Sequence, residues 1–415
     1  MQPLPDRYAL FGRYVFSPGA LPRERCWVCI ADGRIESIVD EAPAGPRFET
    51  DNVAILPGLI NAHAHLEFSD CQEPLGEPGI AMADWIKEVI VYRKEDARPS
   101  YATRAGAGIA ESIRSGSVAV ADILTCDALP ETPPHIEYLA LRELIATDEQ
   151  AAEREMAMAR SFLDRAVCDP VRLGISPHAP YSVHAQLWKS ALASAAERRI
   201  PLAIHLAESE AELEFLESHS GPFGEFLRDQ LGIADDFIGA ARRPLELLKQ
   251  LAAVGRALVI HGNYLTAEEI RFLATLRKTC TLIYCPRTHA YFGHVPYPLE
   301  SILDANVSLA LGTDGRGSNP DLSIFAEMQF VAERYPKIPG DSVLAMGTLA
   351  GAAAIGLSDR LGSIEPGKDA SLAVVRLSEK GANPYRLLFD GKSEVVATLF
   401  RGALVACQGH LFGST

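Results

Sequence analysis

No stretch of this sequence is long and apolar enough to cross a membrane. The longest uncharged segment, Ser342–Ser358, is rich in Gly and Ala and closed by Asp341 and Asp359. A span needs about 20 strongly apolar residues, so the segment reads as a tightly packed buried helix. The opening Met-Gln-Pro-Leu-Pro-Asp-Arg lacks the basic and apolar regions of a secretion signal, which points to a cytoplasmic protein. Positive charge is also short: 39 Lys and Arg face 54 Asp and Glu, a net charge of -15. That balance excludes a nucleic-acid polymer or an acidic membrane as partner and leaves a small-molecule substrate; a homodimer stays open. Cysteine is sparse and scattered. Cys26 and Cys29 form one CxxC with no second pair, and Trp27 and Val28 between them suit a strand, so reduced thiols are expected. Repeats and low-complexity tracts are absent, which excludes solenoids.

What is present is a chain of 415 residues with 48% hydrophobic content, enough for a large core. Both ends read as short strands. Tyr8–Phe16, Cys26–Ala31 and Arg34–Val39 stand at one end; Ala370–Leu377, Glu394–Phe400 and Ala403–Cys407 stand at the other. The expectation is one small β-sandwich domain built from residues 1–56 plus 364–415. The middle, 57–363, alternates apolar runs with amphipathic segments. The runs are Leu56–Asn61, Val118–Asp122, Ile136–Leu141, Val171–Ser176, Leu202–His205, Ala257–His261, Thr281–Cys285 and Val307–Gly312. Helical periodicity falls between them, as in Tyr101–Ser115, Ala185–Arg198 and Ala267–Arg277. Continuous apolar strands alternating with helices mean a parallel sheet covered by helices. Eight of them predict an α/β fold, a (β/α)8 barrel of the TIM type; a doubly wound open sheet is the alternative.

Polar residues punctuate the C-terminal ends of those runs. His63 and His65 follow the first in Asn61-Ala-His-Ala-His65, and residues i and i+2 of a strand point the same way. His205 ends the fifth, His261 ends the sixth, and Asp314 follows the eighth in Leu311-Gly-Thr-Asp314. Any one alone is more often a core or surface residue. Five such groups at strand ends converge on one barrel mouth and point to a metal centre. Three histidines and an aspartate suit a divalent metal, zinc before iron or manganese, which lowers the pKa of its bound water towards about 7. Glu208, in His205-Leu-Ala-Glu208, lies beside the ligand and can shuttle a proton. The blander reading is a first-turn glutamate favoured by the helix dipole.

Taken in order, Pro57-Gly-Leu-Ile-Asn-Ala-His-Ala-His65, His205-Leu-Ala-Glu208, His261-Gly-Asn, Leu311-Gly-Thr-Asp314 and the tail Leu361-Gly-Ser-Ile-Glu-Pro-Gly-Lys-Asp-Ala-Ser371 resemble the amidohydrolase superfamily. They are closest to its mononuclear branch of nucleobase and nucleoside deaminases and chlorohydrolases. The resemblance implies metal ligands at His63, His65, His205 and Asp314, a proton shuttle at Glu208, and a water-orienting histidine at His261. It also implies that Asp314 accepts the water's proton and that His178, in Ile175-Ser-Pro-His-Ala-Pro180, contacts substrate. Binuclear members carry a lysine on the fourth strand; Val171–His178 has none, which implies one metal.

His65-Leu-Glu-Phe-Ser69 with Asp84-Trp-Ile86 resembles the aminodeoxyfutalosine deaminases of the alternative menaquinone pathway. The expected reaction is then hydrolysis of a cyclic amidine, 6-amino-6-deoxyfutalosine giving futalosine and ammonia. Deamination of S-adenosylhomocysteine, methylthioadenosine or guanine is the nearest alternative. A chlorohydrolase or amide hydrolase on the same scaffold, and a non-catalytic barrel, are further ones. Glu208 favours deamination, because a ring nitrogen must be protonated as the adjacent carbon is attacked. The seventh strand runs into Cys285-Pro-Arg-Thr-His289, a departure from the common Asn-Pro-x-Ser-Asn pattern. Glu67, Trp85, His178, His289 and Ser318 are candidate substrate contacts. Arg142, Arg287 and Arg316 lie just past strand ends and could each bind a substrate carboxylate; the sequence does not choose among them.

Overall fold

The structure is a computed structural model that describes residues 4–49, 52–95, 97–130, 135–231, 243–378 and 383–408. The outermost ends of the expected terminal domain, 1–3 and 409–415, lie outside those residues. No helix among the described residues is long and apolar enough to cross a membrane.

Eight parallel strands pair in chain order: Leu59–Ala64, Ser117–Leu124, Glu137–Leu144, Val171–Pro177, Leu202–Leu206, Ala257–His261, Cys280–Tyr284 and Leu309–Leu311. The first and last then meet. Thr313 N and Asp314 N both donate to the His63 carbonyl, at 3.0 and 3.1 Å, and Ala64 bridges Asp314 in parallel. This is the (β/α)8 barrel, and its closure rules out the open doubly wound sheet. Strand alternation sets what each side chain meets. Leu202, Ile204 and Leu206 join the same apolar cluster as the helix residues Leu187 and Leu248. Ala203 and His205 therefore face the other way.

The terminal strands form a separate, continuous mixed sheet of eight strands. The order is Ala403–Cys407, Glu394–Phe400, Leu372–Arg376, Val53–Pro57, Arg7–Val15, Arg23–Ala31 and Arg34–Val39, with Arg47–Phe48 pairing Arg7–Val15. Cys26 and Cys29 are buried free thiols on one of these strands.

Two readings need correction. The apolar run expected as one strand, Leu56–Asn61, is divided between two sheets. Val53–Pro57 pairs in the terminal sheet and Leu59–Ala64 opens the barrel, so His63 lies on the strand itself. Uniform burial hides the change of sheet, because both halves are apolar on both faces. Gly58 makes the crossing: a Cβ there would stand 2.4 Å from the Val118 methyls. Gly58→Ala is expected to lower stability by about 1–3 kcal/mol through overpacking. An unchanged denaturant midpoint would mean that Val118 can turn aside. The second correction concerns Ser342–Ser358, which is two helices, Gly340–Gly347 and Leu349–Ala354. Thr348 leaves helical geometry between them (φ -133, ψ -88), and its hydroxyl donates to the Leu344 carbonyl instead. The close packing was legible: a Cβ on Gly351 would stand 2.8 Å from Ile60 Cβ.

Candidate active site

The barrel mouth gathers the imidazoles by strand geometry. His63 sits in an irregular stretch of the first strand, where register shifts between Asn61 and Ala64; such bulges re-aim side chains. Asn61 Nδ2 donates to Thr313 Oγ1 at 2.7 Å and locks the first strand to the loop carrying Asp314. Gly312 permits this approach, since a Cβ there would lie 2.8 Å from His63 Cβ. Ala207, His261 and Asp314 all hold positive φ (54, 69 and 58), a costly backbone state for non-glycine residues that clusters at functional sites.

These constraints bring the groups together. His63 Nε2 is 3.5 Å and His65 Nε2 3.7 Å from Asp314 Oδ1, and His65 Nε2 is 3.2 Å from His205 Nε2. Ligand atoms of His63, His205 and His261, and of His63, His65 and Asp314, lie within 4.8 Å of one another. Both ring nitrogens of His63 are buried with no hydrogen-bond partner. The second nitrogen of His205, Nδ1, is 2.9 Å from the His178 carbonyl, which leaves Nε2 to face the cluster as a lone-pair donor. Burial holds His65, His205 and His261 well below the usual histidine range, so they are neutral. Burial alone would raise Asp314; the imidazoles of His63, His65 and His261 that face it hold it well below the carboxylate range. Neutral imidazoles around one buried carboxylate fit a divalent cation. His63, His65, His205 and Asp314 could hold it, with His261 beside them.

Glu208 Oε1 stands 3.3 Å from His261 Nε2. Burial, then the carboxylates of Asp314 and Glu212, push its pKa well above the ordinary value. Its main chain is pinned: Glu208 N donates to Glu212 Oε2 at 2.8 Å, and Asn263 Nδ2 donates to the Glu208 carbonyl at 2.9 Å.

Above this floor opens a cavity of about 220 Å³, far more than the roughly 10–15 Å³ that one water occupies. Trp85, His178 and Ser318 line it. Trp85 Nε1 donates to the Gly317 carbonyl at 3.0 Å, and Ser318 Oγ donates to Asp314 Oδ2 at 3.1 Å. His178, lowered to about 3 by burial and then by Arg93 and His261, is neutral, with Nδ1 2.6 Å from Ser182 Oγ.

The other expected substrate contacts stand outside the cavity lining. Arg287 is locked to Asp321 at 2.6 Å and Glu327 at 2.7 Å. Arg142 pairs with Asp127 at 2.6 Å and Glu155 at 2.7 Å. Arg316 donates to the Cys71 carbonyl at 2.7 Å and to Glu111 at 2.9 Å. His289 packs beside Tyr284, His294 and Tyr297. Glu67 is buried behind the wall, where it accepts from Arg93. Internal partners take the three arginines and Glu67, and His289 is buried among rings, which a linear sequence does not display.

Two charged cavity residues escaped the sequence reading, Arg93 and Glu143. Glu143 follows Arg142 on the third strand, and alternation sends the two to opposite faces; the arginine had been chosen. Arg93 ends the helix Met82–Arg93, of which only Asp84-Trp-Ile86 had been singled out. Its signal was present: Trp85, Val89 and Arg93 recur every four residues, one helical face.

Barrel, converging imidazoles and buried acid define a class, the metal-dependent barrel hydrolases. Residues 54–405 match the Amidohydrolase family, and the chain belongs to it. It is an enzyme, a hydrolase of carbon–nitrogen bonds. Among its relatives, 5-methylthioadenosine/S-adenosylhomocysteine deaminase of Pyrococcus furiosus is 28% identical, covering 92% of this chain and 91% of the relative. Aminodeoxyfutalosine deaminase of Nitratiruptor is 26% identical, covering 83% of this chain and 84% of the relative. The fold is similar to that of Helicobacter pylori aminofutalosine deaminase solved with methylthio-coformycin, with a TM-score of 0.82 at 23% identity, covering 96% of this chain and 100% of that one.

Proposed function

We propose that this chain is a hydrolytic deaminase of an adenine-type nucleoside, with 6-amino-6-deoxyfutalosine as preferred substrate and a place in menaquinone formation. The observation that carries the reaction class is the buried carboxyl of Glu208, 3.3 Å from His261 Nε2 beside the imidazole cluster. In this reading His63, His65, His205 and Asp314 hold one divalent cation, zinc first. When bound, the cation supplies the Lewis acidity that makes water a nucleophile at neutral pH. Glu208 gives its proton to the purine ring nitrogen next to the carbon under attack. Asp314 takes the proton lost by the attacking water, and His261 orients that water. The proton taken by Asp314 passes to the amino group, which leaves as ammonia; the water oxygen replaces it, and its remaining proton returns to Glu208. Neutral His178 offers a hydrogen bond to the ribose, and Trp85 covers the apolar wall.

The preferred substrate is supported by Leu66-Glu67-Phe68-Ser69 and Trp85, and by a relative that bears the corresponding name. Ammonia release from a nucleoside panel tests it. The acid-bearing nucleoside is expected to exceed adenosine and methylthioadenosine by about 10²-fold in kcat/KM, since a buried polar group left unpaired costs a few kcal/mol. Methylthioadenosine or S-adenosylhomocysteine turned over equally well would transfer the assignment to those substrates. Chloride release without ammonia release would mark a chlorohydrolase.

A further inference from the structure

The arginines expected past the strand ends that could have met a substrate anion are engaged elsewhere. Among the described residues that line the cavity, the only arginine or lysine is Arg93. Its Nη2 donates to Glu67 Oε1 at 2.5 Å, and its carbon Cζ stands 5.6 Å from the Phe68 ring centre. Glu67 and Phe68 belong to the turn directly after His65, so the sequence that builds the imidazole cluster also seats the arginine. Glu67 is almost wholly buried, whereas a third of the Arg93 side chain stays open. No other hydrogen bond of the guanidinium is found among the described residues. One edge is thus clamped, and donors of the other remain for a ligand.

The path to that edge is largely apolar, although the buried carboxyl of Glu143 lines the same cavity and its charge acts on Arg93. Arg93 is two helical turns, about 12 Å, beyond Trp85. Val89 and Ile90 lie between them on the helix, and Ile145, Phe226 and Leu227 also line the cavity. A ligand part that crosses this stretch has to be apolar, and a group that satisfies the open edge of a guanidinium has to be an acceptor pair. A carboxylate matches that fork bidentately.

We infer that Arg93, held in place by Glu67, is the specificity-determining residue that binds a carboxylate at the far end of an apolar 5′ substituent on the nucleoside. The inference rests on the nucleoside deaminase reading and assigns its anion subsite to a helix rather than to a strand end. Arg93 binds the ligand; Glu67 is a positioning residue that fixes the guanidinium plane.

The test uses the metal-loaded enzyme and two nucleosides: an adenosine whose 5′ substituent ends in an aryl carboxylate, and 5′-methylthioadenosine. The readout is the ratio of their kcat/KM values. It is expected to fall about 10²-fold in Arg93→Gln, mainly through KM for the acid, and to be only partly restored in Arg93→Lys, which keeps the charge and loses the fork. Arg93→Gln strands the Glu67 charge in the wall, so Arg93→Gln/Glu67→Gln, which removes both charges, guards against misfolding and should show the same fall. Equilibrium binding of the acid to Glu208→Gln enzyme should weaken about 10²-fold when Arg93→Gln is added. A ratio that stays within about threefold in both the single and the double variant overturns the assignment while the deaminase reading stands. A parent enzyme that releases ammonia from neither nucleoside overturns both.

Discussion

Glu208→Gln is expected to leave a folded, metal-loaded protein whose turnover is about 10²–10⁴-fold lower, the usual contribution of a positioned acid–base group. Glutamine matches the glutamate in volume and shape. Main-chain bonds to Glu212 and Asn263 hold position 208 whatever its side chain, so the loop survives the change. What disappears is the transferable proton. The carboxyl is buried 3.3 Å from His261, and burial there raises its pKa; a carboxylic acid can protonate a ring nitrogen, an amide cannot. Ammonia release measured together with metal content checks this. A variant within a few-fold of its parent, with metal retained, would make Glu208 a buried acid ahead of the helix Glu210–Ser218, whose N-cap is Ser209, and nothing more.

His63→Ala is expected to take the metal content from about one ion per chain to near zero. Activity should fall by well over the 10–100-fold that loss of a mere outer partner costs. His63 is wholly buried and both of its ring nitrogens lack hydrogen-bond partners. A buried polar group without a partner is expensive, and a cation is the partner that this donor set fits. Added zinc should raise the melting temperature of the parent, because a ligand at 100 times its Kd contributes about 2.7 kcal/mol, and should leave His63→Ala unmoved. Two ions per chain in the parent, or one still bound in His63→Ala, would overturn the single-metal reading.

Most of the cluster at the barrel mouth was legible before any fold was known. His63, His65, His205, His261 and Asp314 each close an apolar run, and the end of a run is a local property. The rim was not. Arg287 and Arg316 stand past strand ends and Arg142 lies within the third strand, yet each is occupied by carboxylates or carbonyls distant in sequence, such as Glu327 for Arg287 and Glu111 for Arg316. Whether a charged side chain meets solvent, substrate or a buried partner depends on what packs over it.

The sequence by itself determined a parallel sheet covered by helices, because continuous apolar strands need helices on the outside, and it marked the donor set at the strand ends; closure into a barrel, through Thr313 and Asp314 on the His63 carbonyl, was decided by the tertiary structure. Tertiary structure alone decided where the chain changes sheets at Gly58, because a strand buried on both faces reads the same in either sheet. It alone decided that Glu143 and not Arg142 enters the cavity, and that Arg93, on a helix laid across the mouth, is the arginine that lines it. Those choices follow from long-range packing: Glu67 is 26 residues before Arg93 and Gly317 is 232 residues after Trp85, and only the closed barrel sets such pairs side by side.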